Sequence, residues 1–222
     1  TGAALESAGI AIDDALLARW RANVAAMRTA LGWPQGGILA RAHPGGASLA
    51  FAAPPDRLLC ATEVNEWACG VPIGEAPGHP ATWDSDQAAH TLIALAREEA
   101  SPALSALLEE AARHGLPALV GEDLLTLGSG CGGRDFPLDA LPSPDAVAWD
   151  ALHAVPTALV TGSNGKTTTV RLIAAMLRHA GRRVGYSCTD GLFVETEKLD
   201  SGDYSGPIGA RTVLRRHDID AA

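Results

Sequence analysis

The stretch that most limits the possible folds is ALVTGSNGKTTTVRLIAAMLRHAGRRVG, running from Ala158 to Gly185. A short apolar run, Ala158 to Thr161, enters a glycine-bearing turn. A helical pattern then runs from Lys166 to Ala180, with Gly181 placed as a C-terminal cap. A second apolar run spans Val184 to Thr189. Strand, helix and strand at this length form a βαβ unit, the building block of parallel α/β sheets. The chain therefore reads as α/β.

The turn itself, Gly162-Ser163-Asn164-Gly165-Lys166-Thr167, sits at the switch from strand to helix. A polyphosphate needs several donors converging on one point with no side chain in the way. Glycines let backbone N–H groups close around it, and a helix N-terminus adds its dipole. Lys166 can reach the β- and γ-phosphates and Thr167 can place its hydroxyl on Mg²⁺. Thr168 offers a further hydroxyl to phosphate or metal, whereas Thr169 fills the helix. The general P-loop pattern has glycine where this chain has Val160, so the turn is a shortened variant. A second glycine cluster, GSGCGG from Gly128 to Gly133, formally satisfies G-x-G-x-x-G. RDFPLDALP follows it and opens no helix, so the cluster reads as a loop without the context a dinucleotide site requires.

Upstream, Asp13 to Leu31 has helical spacing, with acidic residues at its start and Gly32 and Pro34 as stops. GILARAH and ASLAFAA, separated by a Pro-Gly-Gly turn, predict a hairpin. CATEVNEWACG is ambiguous between strand and helix. DSDQAAHTLIALAREEA and PALSALLEEAARHG predict two amphipathic helices, and PALVG and DLLTLG two short strands. Pro and Gly crowd the interval from Gly128 to Pro156, which marks a domain junction near Val147. The expected organisation is an N-terminal α+β accessory domain over residues 1–146. After it, over residues 147–222, comes the opening βαβ portion of a P-loop, parallel-sheet nucleotide-binding domain.

The 222 residues suffice for one or two domains. With 17 Lys and Arg against 26 Asp and Glu, the net charge of −9 gives no general attraction to nucleic acid, so a bound anion must be held locally. No apolar run is long enough to span a membrane, and the N-terminus lacks a secretory layout. The chain opens on Thr1, so it is expected to be trimmed or incomplete. Its four cysteines form no C-x-x-C pair and its histidines no metal-binding spacing, which favours free thiols in a reducing cytoplasm and no zinc site.

VTGSNGKTTT resembles the G-T/S-N-G-K-T-T phosphate loop of the Mur ligase superfamily, which shares the departure at Val160. Within that superfamily, TDGLFV (Thr189 to Val194) and GDYSGPIGARTVLR (Gly202 to Arg215) are similar to segments of the cyanophycin synthetase-like ligases. The resemblance implies ATP-dependent amide-bond formation through an acyl phosphate. ATP and Mg²⁺ would be held by Gly162, Ser163, Asn164, Gly165, Lys166, Thr167 and Thr168, with Lys166 as the catalytic charge and Thr167 on the metal. It also implies an amino-acid or peptide substrate, with Asp190, Asp203, Ser205 and Arg211 as candidate recognition residues, although Asp, Ser and Gly make turns unaided. The family often assembles, which leaves a homo-oligomer open. The family's metal-binding Glu and amine-binding domain have no counterpart here, so the chain is expected to be part of a longer enzyme. A noncatalytic nucleotide-binding or regulatory protein is the alternative. A P-loop kinase is a third reading, for which TDG and SGPIGA have no use.

Overall fold

The computed structural model describes residues 2–8, 13–43, 46–70 and 85–222. Its contacts divide the chain into two compact units, Thr1–Ser105 and Ala106–Ala222.

In the first unit, β1 (Gly2–Ala8) is followed by α1 (Asp14–Ala30). The Asp13 carboxylate accepts from the Leu16 N–H at 2.8 Å and so caps the helix. Leu17, Trp20, Val24 and Met27 recur at helical spacing and are buried. Gly32, at φ 67°, turns the chain out of the helix. The expected hairpin forms as β2 (Ile38–His43) and β3 (Gly46–Ala52), paired antiparallel; its turn at residues 44–45 lies outside the described residues. β3 is central in the order β1-β3-β2, and nothing in the N-terminal sequence had signalled β1.

The ambiguous segment is helical, α2 (Leu58–Cys69), because burial of Cys60, Ala61, Val64, Asn65 and Ala68 follows a three- and four-residue period. No side chain of its own caps it. Instead Glu99, the last residue of α3 (Ser85–Glu99), accepts from the N–H groups of Leu59 and Cys60, both at 2.8 Å. Inside, Asn65 accepts from Trp20 Nε1 at 2.9 Å and donates to the Leu49 carbonyl at 3.2 Å, tying α1, α2 and β3 together. Burial pushes the Cys60 thiol up to about 12 and Cys69 to about 11, the behaviour of inert core thiols.

α4 (Pro102–Arg113) runs into the second unit. There, β4 (Ala118–Val120), β5 (Leu124–Leu127) and β6 (Arg134–Pro137) form an antiparallel sheet, and the first two match expected strands. Next come α5 (Lys166–His179), the antiparallel strands β7 (Gly185–Cys188), β8 (Gly191–Val194) and β9 (Glu197–Asp200), and α6 (Pro207–Leu214). α5 rests Ala174 and Leu177 on Val184 and Ala221. Leu192, Val194, Val213 and Ile219 make the adjoining core.

One expectation changes. The run Ala158 to Thr161 is not a strand and does not pair with β7. The Ala158 N–H donates to the Ala222 carbonyl at 2.9 Å, the Ala222 N–H to the Pro156 carbonyl at 3.0 Å, and the Gly185 N–H to the Ala221 carbonyl at 3.0 Å. The end of the described chain thus lies between the two segments expected to neighbour one another, bridging Val184 in parallel. Leu159 to Thr161 find no ladder partner among the described residues, and Leu159 is 88% exposed. The three sheets themselves are antiparallel. Val147 itself lies within the unit Ala106–Ala222. The Pro- and Gly-rich interval is held there by backbone bonds, among them Cys131 N–H to the Ile219 carbonyl at 2.7 Å and Ser129 N–H to the His153 carbonyl at 3.1 Å.

Candidate functional site

α5 begins where its sequence has to begin. Gly165, at φ 76°, occupies the N-cap in the left-handed region, a conformation that costs an L-residue energy and glycine almost none. Gly162, at φ 144°, turns the chain on the other side of Ser163 and Asn164. The far end closes on Gly181, with the Arg182 N–H returning to the Leu177 carbonyl at 3.0 Å, while Arg178 and His179 meet the negative end of the dipole.

Between these turns the loop is open. A β-carbon added at Gly165 would meet nothing within 4 Å, and one at Gly162 only the Asn164 carbonyl at 3.8 Å. Among the described residues, no backbone N–H from Ser163 to Thr168 finds an acceptor in the protein; the first that does is Thr169, to the Gly165 carbonyl at 2.9 Å. The Lys166 ammonium folds back over the loop, donating to the Gly162 carbonyl at 2.7 Å and the Ser163 carbonyl at 3.4 Å. Unpaired N–H groups, a helix start and a cation therefore lie together on one exposed turn, a set that suits the charge of a polyphosphate.

Beside the loop, the turn from β7 to β8 adds two contacts that sequence inspection missed. Thr167 Oγ1 lies 3.0 Å from Thr189 Oγ1, and Arg171 donates to the Asp190 carboxylate at 2.6 Å. Thr167 and Arg171 are four apart, hence on one face of α5, and that spacing is the signal that was available.

The remaining predicted residues divide. Ser163, Asn164 and Thr168 are exposed on the loop and the first helical turn. Asp190 is engaged by Arg171. Asp203 accepts from the Ser205 N–H at 3.0 Å and its hydroxyl at 2.6 Å, bonds that hold its carboxyl below the usual range and make a turn ahead of α6. Ser205 borders an apolar cavity of about 320 Å³ lined by Val160, Ile173, Leu177 and Tyr186. Arg211 lines a different cavity, of about 570 Å³, with Asp123, Ile208 and Arg215. Among the described residues, no cluster of three or more His, Cys, Asp or Glu side chains could hold a metal. All four cysteines are free, and among the described residues no helix is long and apolar enough to cross a membrane.

This loop and the elements after it lie in a segment that is similar to known proteins. Residues 160–216 match the Mur ligase middle domain. Within it the similarity runs to cyanophycin synthetases. The chain is 43% identical over 68 residues to that of Geminocystis herdmanii, covering 31% of this chain and 8% of the relative. It is 41% identical over 68 residues, with the same coverage, to that of a Synechocystis strain. A UDP-N-acetylmuramoyl-L-alanyl-D-glutamate–2,6-diaminopimelate ligase of Chlorobium phaeobacteroides is 58% identical over 43 residues, 19% of this chain and 8% of that protein. The chain thus matches only a small part of each relative's length.

Proposed function

We propose that the loop Gly162–Thr168 holds the phosphates of ATP, and that the chain belongs to an ATP-dependent ligase joining a carboxylate to an amine. One observation carries this reading. In the segment matched to ligases, a run of unpaired backbone N–H groups faces open space at a helix start, with Lys166 folded over it. Gly162, Ser163, Asn164 and Gly165 would surround the phosphates, Lys166 would neutralise charge at the β–γ bridge, and Thr167 would give its hydroxyl to Mg²⁺, with Thr168 beside it. Bound ATP supplies the phosphoryl group that turns a carboxylate into an acyl phosphate open to attack by an amine. The substrate class that fits the relatives is an amino acid or peptide.

The residues before Val147 are proposed as an accessory region without a nucleotide site, since the Gly128–Gly133 loop uses its own donors internally. Four free thiols, three of them buried, fit a reducing cytoplasm. Mg²⁺ favours an octahedral oxygen shell that usually includes a carboxylate, and none stands in the loop. The chain alone is therefore proposed to bind ATP–Mg²⁺ weakly and to ligate nothing. Calorimetric titration tests this: weak saturable binding, lost in Lys166→Ala, is expected. Absence of saturable binding in the unaltered chain, or binding indifferent to Lys166→Ala, overturns the reading. Nucleotide binding in the full-length protein without amine-dependent ADP release would favour a noncatalytic, regulatory role instead.

A further inference from the structure

The turn between β7 and β8 touches the loop at one functional group, the hydroxyl of Thr167. A hydroxyl that coordinates a cation does so through an oxygen lone pair, so its proton must be donated elsewhere. In this structure the atom placed to receive it is Thr189 Oγ1, 3.0 Å away. We infer that Thr189 is a positioning residue: it accepts the Thr167 proton and turns the Thr167 lone pairs toward the metal of a bound nucleotide. This rests on the proposed reading of the loop as an ATP–Mg²⁺ site and goes one residue further.

Three features keep Thr189 in register with the helix. Cys188 pairs with Gly191, so Thr189 and Asp190 are the two residues of a tight hairpin loop. The Cys188 carbonyl also accepts from the Tyr204 N–H at 3.0 Å, which anchors the strand end. The next residue, Asp190, is bound by Arg171 at 2.6 Å, one helical turn beyond Thr167. Two successive turns of α5 are therefore fastened to two successive residues of the hairpin, and the threonine pair is the contact nearer the phosphate end. Partners of this kind, one step out from a metal ligand, typically change metal affinity by about 10- to 100-fold when removed. Thr189 is exposed and water can partly replace it, which sets the expectation at the lower end, about tenfold.

The test uses the chain with a fluorescent ATP analogue, titrated with Mg²⁺ and separately measured in EDTA. Thr189→Val, which keeps the shape and removes the acceptor, should raise the Mg²⁺ midpoint about tenfold and leave binding in EDTA unchanged. Thr189→Ser, which restores the hydroxyl, should return the midpoint to within about twofold of the original, and Thr189→Ala should behave as the valine variant does. An unchanged midpoint in Thr189→Val and Thr189→Ala overturns the inference, as does a serine variant as impaired as they are, because the methyl group and not the hydroxyl would then matter. Failure of the underlying reading looks different: the unaltered chain itself would show no Mg²⁺-dependent binding, and both proposals would fall together.

Discussion

The molecule contains two glycine-rich turns of similar composition, GSGCGG at Gly128–Gly133 and GSNG at Gly162–Gly165, and they use glycine for opposite ends. In the first, glycine makes room for protein. A β-carbon at Gly128 would stand 2.4 Å from the Gly132 carbonyl oxygen, and one at Gly130 2.4 Å from the Val155 side chain and 2.8 Å from the Ile219 carbonyl. The loop's donors are satisfied internally as well: Ser129 and Cys131 give their N–H groups to His153 and Ile219, and the buried Ser129 hydroxyl accepts from Val155 at 3.1 Å. In the second turn, glycine keeps room free. Its left-handed cap at Gly165 has empty space where a side chain would go, and its N–H groups have no acceptor among the described residues. A motif search reads both as phosphate loops. What separates them is whether the backbone donors are already satisfied.

The largest expected effect falls on the packed turn. Gly130→Ala forces a methyl group into Val155 and the Ile219 carbonyl from a backbone at φ 57°. Overpacking of about 2–3 kcal/mol and a left-handed penalty of about 1–2 kcal/mol together predict a loss of about 4 kcal/mol in denaturant unfolding. Near-native stability would show that the two turns are alike after all. Lys166→Ala comes next and reverses the pattern. Its side chain lies on the loop and not in the core, so circular dichroism and melting should be unchanged. On the proposed reading, ATP-dependent ligation should lose about 3 kcal/mol of transition-state stabilisation, the size of one preorganised contact. Ordinary turnover in that variant would make the open turn as structural as the packed one.

Gly165→Ala sharpens the comparison at a single site. With no neighbour within 4 Å, only the φ of 76° resists the change, so the stability loss should be about 1 kcal/mol, well short of that at Gly130. Paired chemical denaturation curves for the two alanine variants would expose any reversal of that order.

The smallest effect is the pH dependence of the packed turn. His217 presents Nδ1 to the Gly130 carbonyl at 3.2 Å and Nε2 to the Asp135 carboxylate at 2.9 Å, two acceptors that only the doubly protonated ring satisfies. The Asp135 bond, helped by the carbonyl and by Asp218, raises its pKa against a desolvation that opposes it. The contribution is therefore complete below the ordinary histidine value and is lost as pH rises through the higher folded value. The pair is well exposed and screened, so a few tenths of a kcal/mol is the expected size. His217→Gln should flatten the stability profile as pH rises through and above the ordinary histidine value, and leave nucleotide binding unaffected. Its neighbour Asp218 works in the other direction. Bonds from Arg216 and Arg183 lower it to about 2, so its contribution holds above the ordinary carboxylate range and fades as pH falls toward that value.

Sequence by itself determined the elements whose signals are local. The capped helix α1, the hairpin β2–β3, the helices α3 to α5 and the loop at Gly162 to Thr168 were all legible because period, caps and glycines act over a few residues. It also marked GSGCGG as a turn without a helix to follow. Tertiary structure decided the rest. CATEVNEWACG became α2 because Asn65 and its apolar neighbours are buried against α1 and β3, a matter its own spacing left open. Leu159 to Thr161 failed to become a strand because strand formation needs a partner's backbone, and the neighbouring places are taken up beside Ala222 and Ala221. Asp190, Asp203 and Ser205 were candidate recognition residues or turn formers by sequence, and only the folded chain shows Arg171 engaging Asp190 and a local turn joining Asp203 to Ser205. Thr189 appeared in the sequence only as the boundary of the TDGLFV segment, since its relation to Thr167 spans 22 residues and exists only once the β7–β8 hairpin folds against the start of α5. Hydrogen bonds within a helix or turn are encoded by neighbours. Those between elements depend on where packing brings the backbone, and a single sequence does not display that.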